Sequence, residues 1–160
     1  MGIWEDEIMK ATLLLRKDHE RLHELFEKFG KSTRAGQNGK QQIVEAIRRE
    51  LSLHANIESE VFYTALRDSS THRETVELVE SLLEDHGRIE NLLQDISSSD
   101  SNEKLLESKV ERLSELVHAH IEKEEEQLFS EARRVLSEQR LEELGLEMEH
   151  RRYLFTRAVA

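Results

Sequence analysis

Apolar residues recur along this chain at intervals of three and four, the repeat of a helix that buries one face. In the first long segment the stripe is Ile8, Leu15, Leu22, Phe26 and Phe29. In the second it is Ile43, Ile47, Leu51, Val61, Phe62 and Ala65, and in the third Val79, Leu82, Ile89, Leu93 and Ile96. The fourth carries Leu106, Val110, Leu113, Val117, Leu128 and Val135. Charged residues fill the opposite faces. Breaks fall only at 30–39 (GKSTRAGQNG), 69–71 and 97–102 (SSSDSN), where turn-forming residues cluster. Asn38 with Gln41, Thr71 with Glu74 and Asp100 with Glu103 have capping-box spacing, and Ser137 can cap a further helix. The pattern predicts helices near 4–29, 40–68, 72–96 and 103–135, then a shorter one over about 137–157. Long segments with short connections predict an all-α fold, an up-down-up-down four-helix bundle with a shorter C-terminal fifth helix. Its length suits one domain over 1–160, the bundle occupying about 4–135.

Composition narrows the chemistry. Apolar residues make up 37% of the chain and charged ones 36%, with a formal net charge of -11. A chain this polar folds only if its apolar residues are concentrated, and the stripes concentrate them. The negative balance argues against nucleic acid or an anionic membrane as partner. With no Pro and 6 Gly, strand-and-turn architectures are excluded. The absence of Cys removes disulfides, thiolate nucleophiles, iron–sulfur clusters and cysteine zinc sites together. No apolar run approaches the ~20 residues of a membrane span, and residues 1–10 do not read as a signal peptide, so the cytoplasm is the expected location. What remains is a set of 8 His.

Those histidines sit in a tandem repeat. Asp18-His19-x-x-Leu22-x-x-Leu25-Phe26 matches Asp85-His86-x-x-Ile89-x-x-Leu92-Leu93, and His54-x-x-x-Glu58-x-Glu60-x-Phe62-Tyr63 matches His120-x-x-x-Glu124-x-Glu126-x-Leu128-Phe129. A helix pair used twice about a pseudo-twofold axis brings these positions to one level. Spacing alone is weak, because 28 residues are Glu and His23, His54, His86, His118 and His120 all have Glu four residues on. Facing discriminates. At ~100° per residue, His54 and Glu58 fall within the stripe of their helix, as do His120 with Glu124, His19 and His86. His118 and Glu122 point away from it, so His118, His72 and His150 read as surface residues. His23 and Glu90, equivalent in the repeat, lie on the flanks as ligands or as supports for ligands.

Four inward His and two inward Glu at one level cannot be a dry polar core. Burying them without strong partners would cost several kcal/mol for each carboxylate. His–Glu ion pairs satisfy some of them; a metal centre satisfies all six and couples ligand deprotonation to folding. Nitrogen and oxygen donors without sulfur suit iron, with manganese or zinc as alternatives. Two metals use six side chains more economically than one, with Glu58 and Glu124 placed to bridge. The ferritin-like pattern of E-x-x-H pairs differs, being richer in carboxylates.

At these residues the sequence resembles the hemerythrin-like proteins of the HHE cation-binding family. DHERLHELFEKF, HANIESEVFYTAL, EDHGRIENLL and HAHIEKEEEQLFSEAR carry the family's H…HxxxE…H…HxxxE order, and LGLEMEHRR resembles the end of bacterial members. The resemblance implies a centre of two non-haem irons, oxo- or hydroxo-bridged, one held by His19 and His54 and the other by His86 and His120. Two positions depart from the oxygen-carrying members. Glu90 stands where those have a second third-helix His, and Glu124 replaces an Asp one residue further on. Thr64 and Ser130 take places that are often Pro in bacterial members.

Three functions are compatible with such a centre. The first is a protein that binds or responds to a small diatomic ligand or oxidant (dioxygen, nitric oxide or peroxide) beside a dry pocket walled by Phe26, Phe62, Phe129, Leu22 and Ile89, with Tyr63 close by or capping the core. The second is an enzyme decomposing peroxide or nitric oxide at the same metals. The third is an iron or redox sensor presenting the 31–39 loop and fifth helix to a partner. The fifth helix packs on its own bundle in a monomer or pairs two chains in a homodimer.

Overall fold

The structure, a computed structural model, describes residues 10–32, 36–97 and 102–159. Among them the chain is helical, with no strand. Helix α1 is Ala11–Gly30. Helix α2 runs over 36–69 as Gly36–Ile57, a wide π-helical turn Glu58–Phe62, and Tyr63–Ser69. Helix α3 is Arg73–Ser97. Helix α4 runs over 103–135 as Glu103–Lys123, a second wide turn Glu124–Leu128, and Phe129–Val135. Helix α5 is Glu138–Val159. The all-α bundle with an added C-terminal helix is the architecture that the apolar stripes predict.

The ends of the helices differ in detail from the sequence expectation. Residues 4–9, Ile8 and Asp100 lie outside the described residues. Helix α2 begins at Gly36, earlier than the start near residue 40 that the spacing of Asn38 and Gln41 predicts. Its start is held by the buried ammonium of Lys40, which donates to Glu103 (2.6 Å) and Glu107 (2.5 Å) of α4. Thr71 does not cap α3. The Ser70 hydroxyl accepts from the His72 N–H (3.1 Å), and the carbonyl of His72 takes the first helical bond, from Val76. At α4 the cap is Asn102, whose side chain accepts from the Leu105 N–H at 3.3 Å. Ser137 does cap α5, accepting from the Arg140 N–H at 3.1 Å. Such a cap contributes about 1 kcal/mol.

The core divides into two apolar clusters. One gathers Leu22, Phe26, Phe29, Ile47, Leu51, Ile89, Leu93, Val110, Leu113 and Val117. The other gathers Leu15, Ile57, Val61, Phe62, Tyr63, Leu82, Leu128 and Phe129, and α5 adds Leu141, Leu144 and Met148. Each large apolar side chain fully withdrawn from water contributes about 1.5–3 kcal/mol. Between the clusters every helix of the bundle changes character: α1 at Asp18-His19, α2 at His54 and Glu58, α3 at Asp85-His86, α4 at His120 and Glu124. A polar layer is thus sealed above and below by packed apolar side chains. Helix α5 lies against α1 and α2 at the edge of that layer. No helix among the described residues is long and apolar enough to cross a membrane.

Candidate metal centre

The two wide turns occupy repeat-equivalent positions and begin at the two inward glutamates. In an α-helix a residue five positions on is rotated roughly 140° away. Here the N–H of Tyr63 bonds the carbonyl of Glu58, and that of Phe129 bonds Glu124, each five residues back. This i→i+5 bonding brings the fifth residue round to the face of the first. In α2 the carbonyl of Ser59 is taken by the Thr64 hydroxyl at 2.9 Å. The consequence is chemical. His54 and Glu58 face inward one α-turn apart, and the ring of Tyr63 follows them onto the same face.

The inward atoms converge closely. Glu58 is fully buried and its two oxygens point to different halves of the repeat. Oε1 lies 2.7 Å from His54 Nε2 and 3.8 Å from His19 Nε2; Oε2 lies 2.8 Å from His86 Nε2 and 3.5 Å from His120 Nε2. Glu124, also fully buried, places Oε1 3.0 Å from His120 Nε2 and 3.4 Å from His19 Nε2. Two donor groups result: His19, His54, Glu58 and Glu124, and Glu58, His86 and His120. Glu58 belongs to both.

Four atoms in this layer have no hydrogen-bond partner: His19 Nε2, His54 Nε2, Glu58 Oε1 and Glu124 Oε1. His54 Nε2 and Glu58 Oε1 are 2.7 Å apart yet not aligned as donor and acceptor, so proximity does not satisfy them. Buried polar atoms are nearly always paired. Four unpaired lone-pair donors of imidazole and carboxylate type, facing one point, fit a cation.

The outer nitrogens are held just as systematically. His54 Nδ1 lies 3.1 Å from Asp18 Oδ2 and His120 Nδ1 3.3 Å from Asp85 Oδ2. His19 Nδ1 is 3.4 Å from Glu125 Oε1, and His86 Nδ1 is 3.1 Å from Ser59 Oγ. An imidazole whose Nδ1–H is tied to an acceptor presents its Nε2 lone pair inward, the arrangement that orients metal-binding histidines. Each Asp-His pair therefore does two jobs, its His facing the layer and its Asp fixing the His of the neighbouring helix. Cations hold the two aspartates in turn: Arg152 of α5 donates to Asp18 at 2.5 Å, and Lys123 to Asp85 at 2.7 Å. Asp18 and Asp85 were legible in the sequence only as the repeated DH pair. Asp18→Asn is expected to weaken metal binding ten- to a hundredfold, measured by chelator competition, with the helical content unchanged.

Protonation follows from this packing. Burial works against a charged His54, but Glu58 and Asp18 outweigh it and push its pKa up to about 10. Burial likewise opposes charge on His120 and His19, and facing carboxylates overcome it: Glu124, Asp85 and Glu58 for His120, Glu124 and Glu58 for His19. Burial would raise Asp85, but His120 and Lys123 bring it down to about 2. The metal-free centre at neutral pH thus holds protons on imidazoles that a cation must displace. Because these pKa values are raised, the stabilisation they give the metal-free fold is complete below the ordinary histidine value of 6.5. For His54 it is lost as pH rises through about 10. Metal affinity runs the opposite way and falls with falling pH. Calorimetric titration in buffers of differing ionisation enthalpy is expected to show a net release of protons as the chain fills at pH 7, those of His54 and His120 first among them.

Some sequence-derived sites lie elsewhere. Glu90 is exposed and accepts from Gln94 at 3.2 Å. It adds no atom to either donor group, because the straight α3 carries it past His86 toward solvent. His23 is also outside both groups. Its Nδ1 lies 2.6 Å from His118 Nε2, so His118 is half-buried between α1 and α4 rather than a surface residue. The ring of Phe26, 5.9 Å away, helps to cover it. His72 and His150 are exposed, as their positions predict. Of the pocket walls, Phe129 stacks on His19 at 6.0 Å and Phe62 packs on Phe129 at 6.2 Å. Phe26 instead stands by His118. Tyr63 reaches the layer fully. Its hydroxyl donates to Glu124 Oε2 (2.8 Å) or Glu58 Oε2 (3.0 Å), and its ring stacks on His86 at 5.4 Å. Burial, then Glu124 and Glu58, push the phenol well above its ordinary pKa, so it keeps its proton.

A helical bundle that buries a histidine–carboxylate layer between two apolar clusters defines a metal-binding bundle protein. The family is then specific: the hemerythrin HHE cation binding domain matches residues 11–132, and the chain belongs to that family of metal-binding domains. The crystal structure of a hemerythrin HHE cation binding domain-containing protein from Mycobacterium kansasii has the same fold. It superimposes with a TM-score of 0.79 at 20% identity, covering 92% of this chain and 87% of that one. A DNA nickase of Nostoc sp. is 28% identical over 142 residues. The match takes in 87% of this chain but spans only 38% of that protein's length.

Proposed function

We propose that this chain is a non-haem di-iron protein that binds or responds to a small oxidant: dioxygen, nitric oxide or peroxide. The observation that carries the reading is the Glu58 carboxylate, whose two oxygens face two separate pairs of imidazoles. His19 and His54 would hold one iron and His86 and His120 the other, with Glu58 shared and Glu124 reaching from His19 to His120. A ferrous pair bound there would supply electrons to a small oxidant from both metals at once. The His86 and His120 group has three protein donors where the other has four, so it is the half with room for a further ligand. Tyr63 Oη stands 3.5 Å from both of its Nε2 atoms, and the retained phenol proton is the one available to an anionic ligand there. Phe62 and Phe129, both fully buried, keep bulk water from the layer. The nicking activity belongs by name to a protein of which this chain covers a minor part, and a net charge of -11 supports leaving DNA out of the proposal.

Anaerobic titration with iron(II), followed by admission of oxygen, tests the proposal. Two irons per chain and oxo-bridge charge-transfer bands on oxidation are expected; one iron per chain, or no such bands, would contradict it. Tyr63→Phe is a clean companion variant, because Phe129 already fills the equivalent place in the other half. Its iron stoichiometry should stay the same while oxidation by peroxide, followed by stopped flow, slows about a hundredfold for loss of a positioned proton donor.

A further inference from the structure

His-x-x-x-Glu occurs outside the buried layer as well, at His23 with Glu27 and at His118 with Glu122. Composition alone makes such pairs common in so acidic a chain. The fold, however, brings these two together, His23 on α1 and His118 on α4, with His23 Nδ1 and His118 Nε2 at 2.6 Å and ring centroids at 4.4 Å. His118 is pinned from behind, its Nδ1 lying 2.6 Å from the Ser114 carbonyl. That contact makes Nδ1 the donor and leaves the Nε2 lone pair aimed at His23, the same device that orients His54 and His120 through Asp18 and Asp85. Both rings are half-buried, so water has access to the pair. Glu27 lies one turn along α1 from His23 and Glu122 one turn along α4 from His118, both exposed and on the side of their own histidine. Burial and the neighbouring His118 and His19 lower the pKa of His23, outweighing the nearby carboxylates of Glu125 and Glu27.

We propose that His23 and His118 form a second, solvent-facing cation site, distinct from the buried centre. It would take one divalent transition ion of the imidazole-seeking class, of which zinc is the convenient probe. Two oriented imidazoles supply the nitrogen donors, and water or the flanking glutamates complete the shell. A cation there would displace the hydrogen bond that now joins the two nitrogens at 2.6 Å, the rings parting by roughly 0.7 Å to admit bonds of about 2.0–2.1 Å each. The pair sits one helical turn from His19, whose own Nδ1 faces Glu125, so the two sites are neighbours along α1.

The test is a zinc titration of the full-length protein already loaded with metal, read by calorimetry and by the histidine ring-proton resonances. One additional zinc ion with micromolar affinity is expected, perturbing the His23 and His118 rings together. The extra ion should bind at least tenfold more weakly in His118→Ala and in His23→Ala, while the metal content of the buried centre stays the same, which separates the two sites. An unperturbed ring pair in the native protein overturns the proposal, even if a variant fails to fold. So does an additional zinc ion indifferent to both histidine substitutions, or the absence of any.

Discussion

Glu58→Gln is expected to impair both halves of the buried centre at once. Every other donor in the layer belongs to one donor group, whereas Glu58 belongs to both. Glutamine keeps the size and packing of the side chain but replaces a bidentate anion with one weak oxygen donor and an amide. That amide must point at an imidazole wherever it turns, since His54 and His86 approach the two oxygens at 2.7 and 2.8 Å. Loss of a partner that only orients a ligand typically weakens metal binding by ten- to a hundredfold. Losing the shared carboxylate itself should cost on the order of a hundredfold or more for each metal. Metal content after dialysis against a mild chelator measures it. Glu124→Gln is the informative contrast: Glu124 reaches His19 and His120 through a single oxygen, so its loss should weaken metal binding less than the loss of Glu58 does.

Removing the metal from the native protein should lower its melting temperature by roughly 10 °C or more. Binding to the folded state alone adds about 4 kcal/mol when the free ion is a thousandfold above its dissociation constant. In a domain of this size each kcal/mol moves the midpoint by about 2–4 °C. The metal-free layer is not empty of interactions, since protonated histidines face Glu58 and Glu124 within the dry bundle. It nevertheless leaves four buried atoms unpaired, and those are the atoms a cation would take. Differential scanning calorimetry with and without chelator checks the shift. An unchanged midpoint would mean that the layer is complete without metal, as a network of ion pairs.

Much of this was legible along the chain because helices convert spacing into direction. The apolar stripes placed the core, and the same angular arithmetic put His19, His54, His86 and His120 on inward faces with Glu58 and Glu124. It failed where the helix departs from 3.6 residues per turn. The wide turns at Glu58 and Glu124 rotate Tyr63 and Phe129 onto the site, and a constant ~100° per residue cannot show that. The clue available was an aromatic residue five positions after the inward glutamate in both halves. Asp18 and Asp85 were hidden for another reason: each serves a histidine on a different helix, so no local spacing links it to its partner. The periodicity of its own helix points His118 to solvent, and the approach of α1 with His23 and Phe26 gives it cover. Glu90 shows the converse, a flank position that nothing draws inward.

The central claim is a pair of metals sharing Glu58. Its most direct test is the Mössbauer spectrum of full-length protein loaded anaerobically with iron-57 and then oxidised, with iron counted per chain. Two irons coupled to a diamagnetic ground state are the result this account predicts. Isolated paramagnetic iron(III), at one ion per chain or fewer, would contradict it.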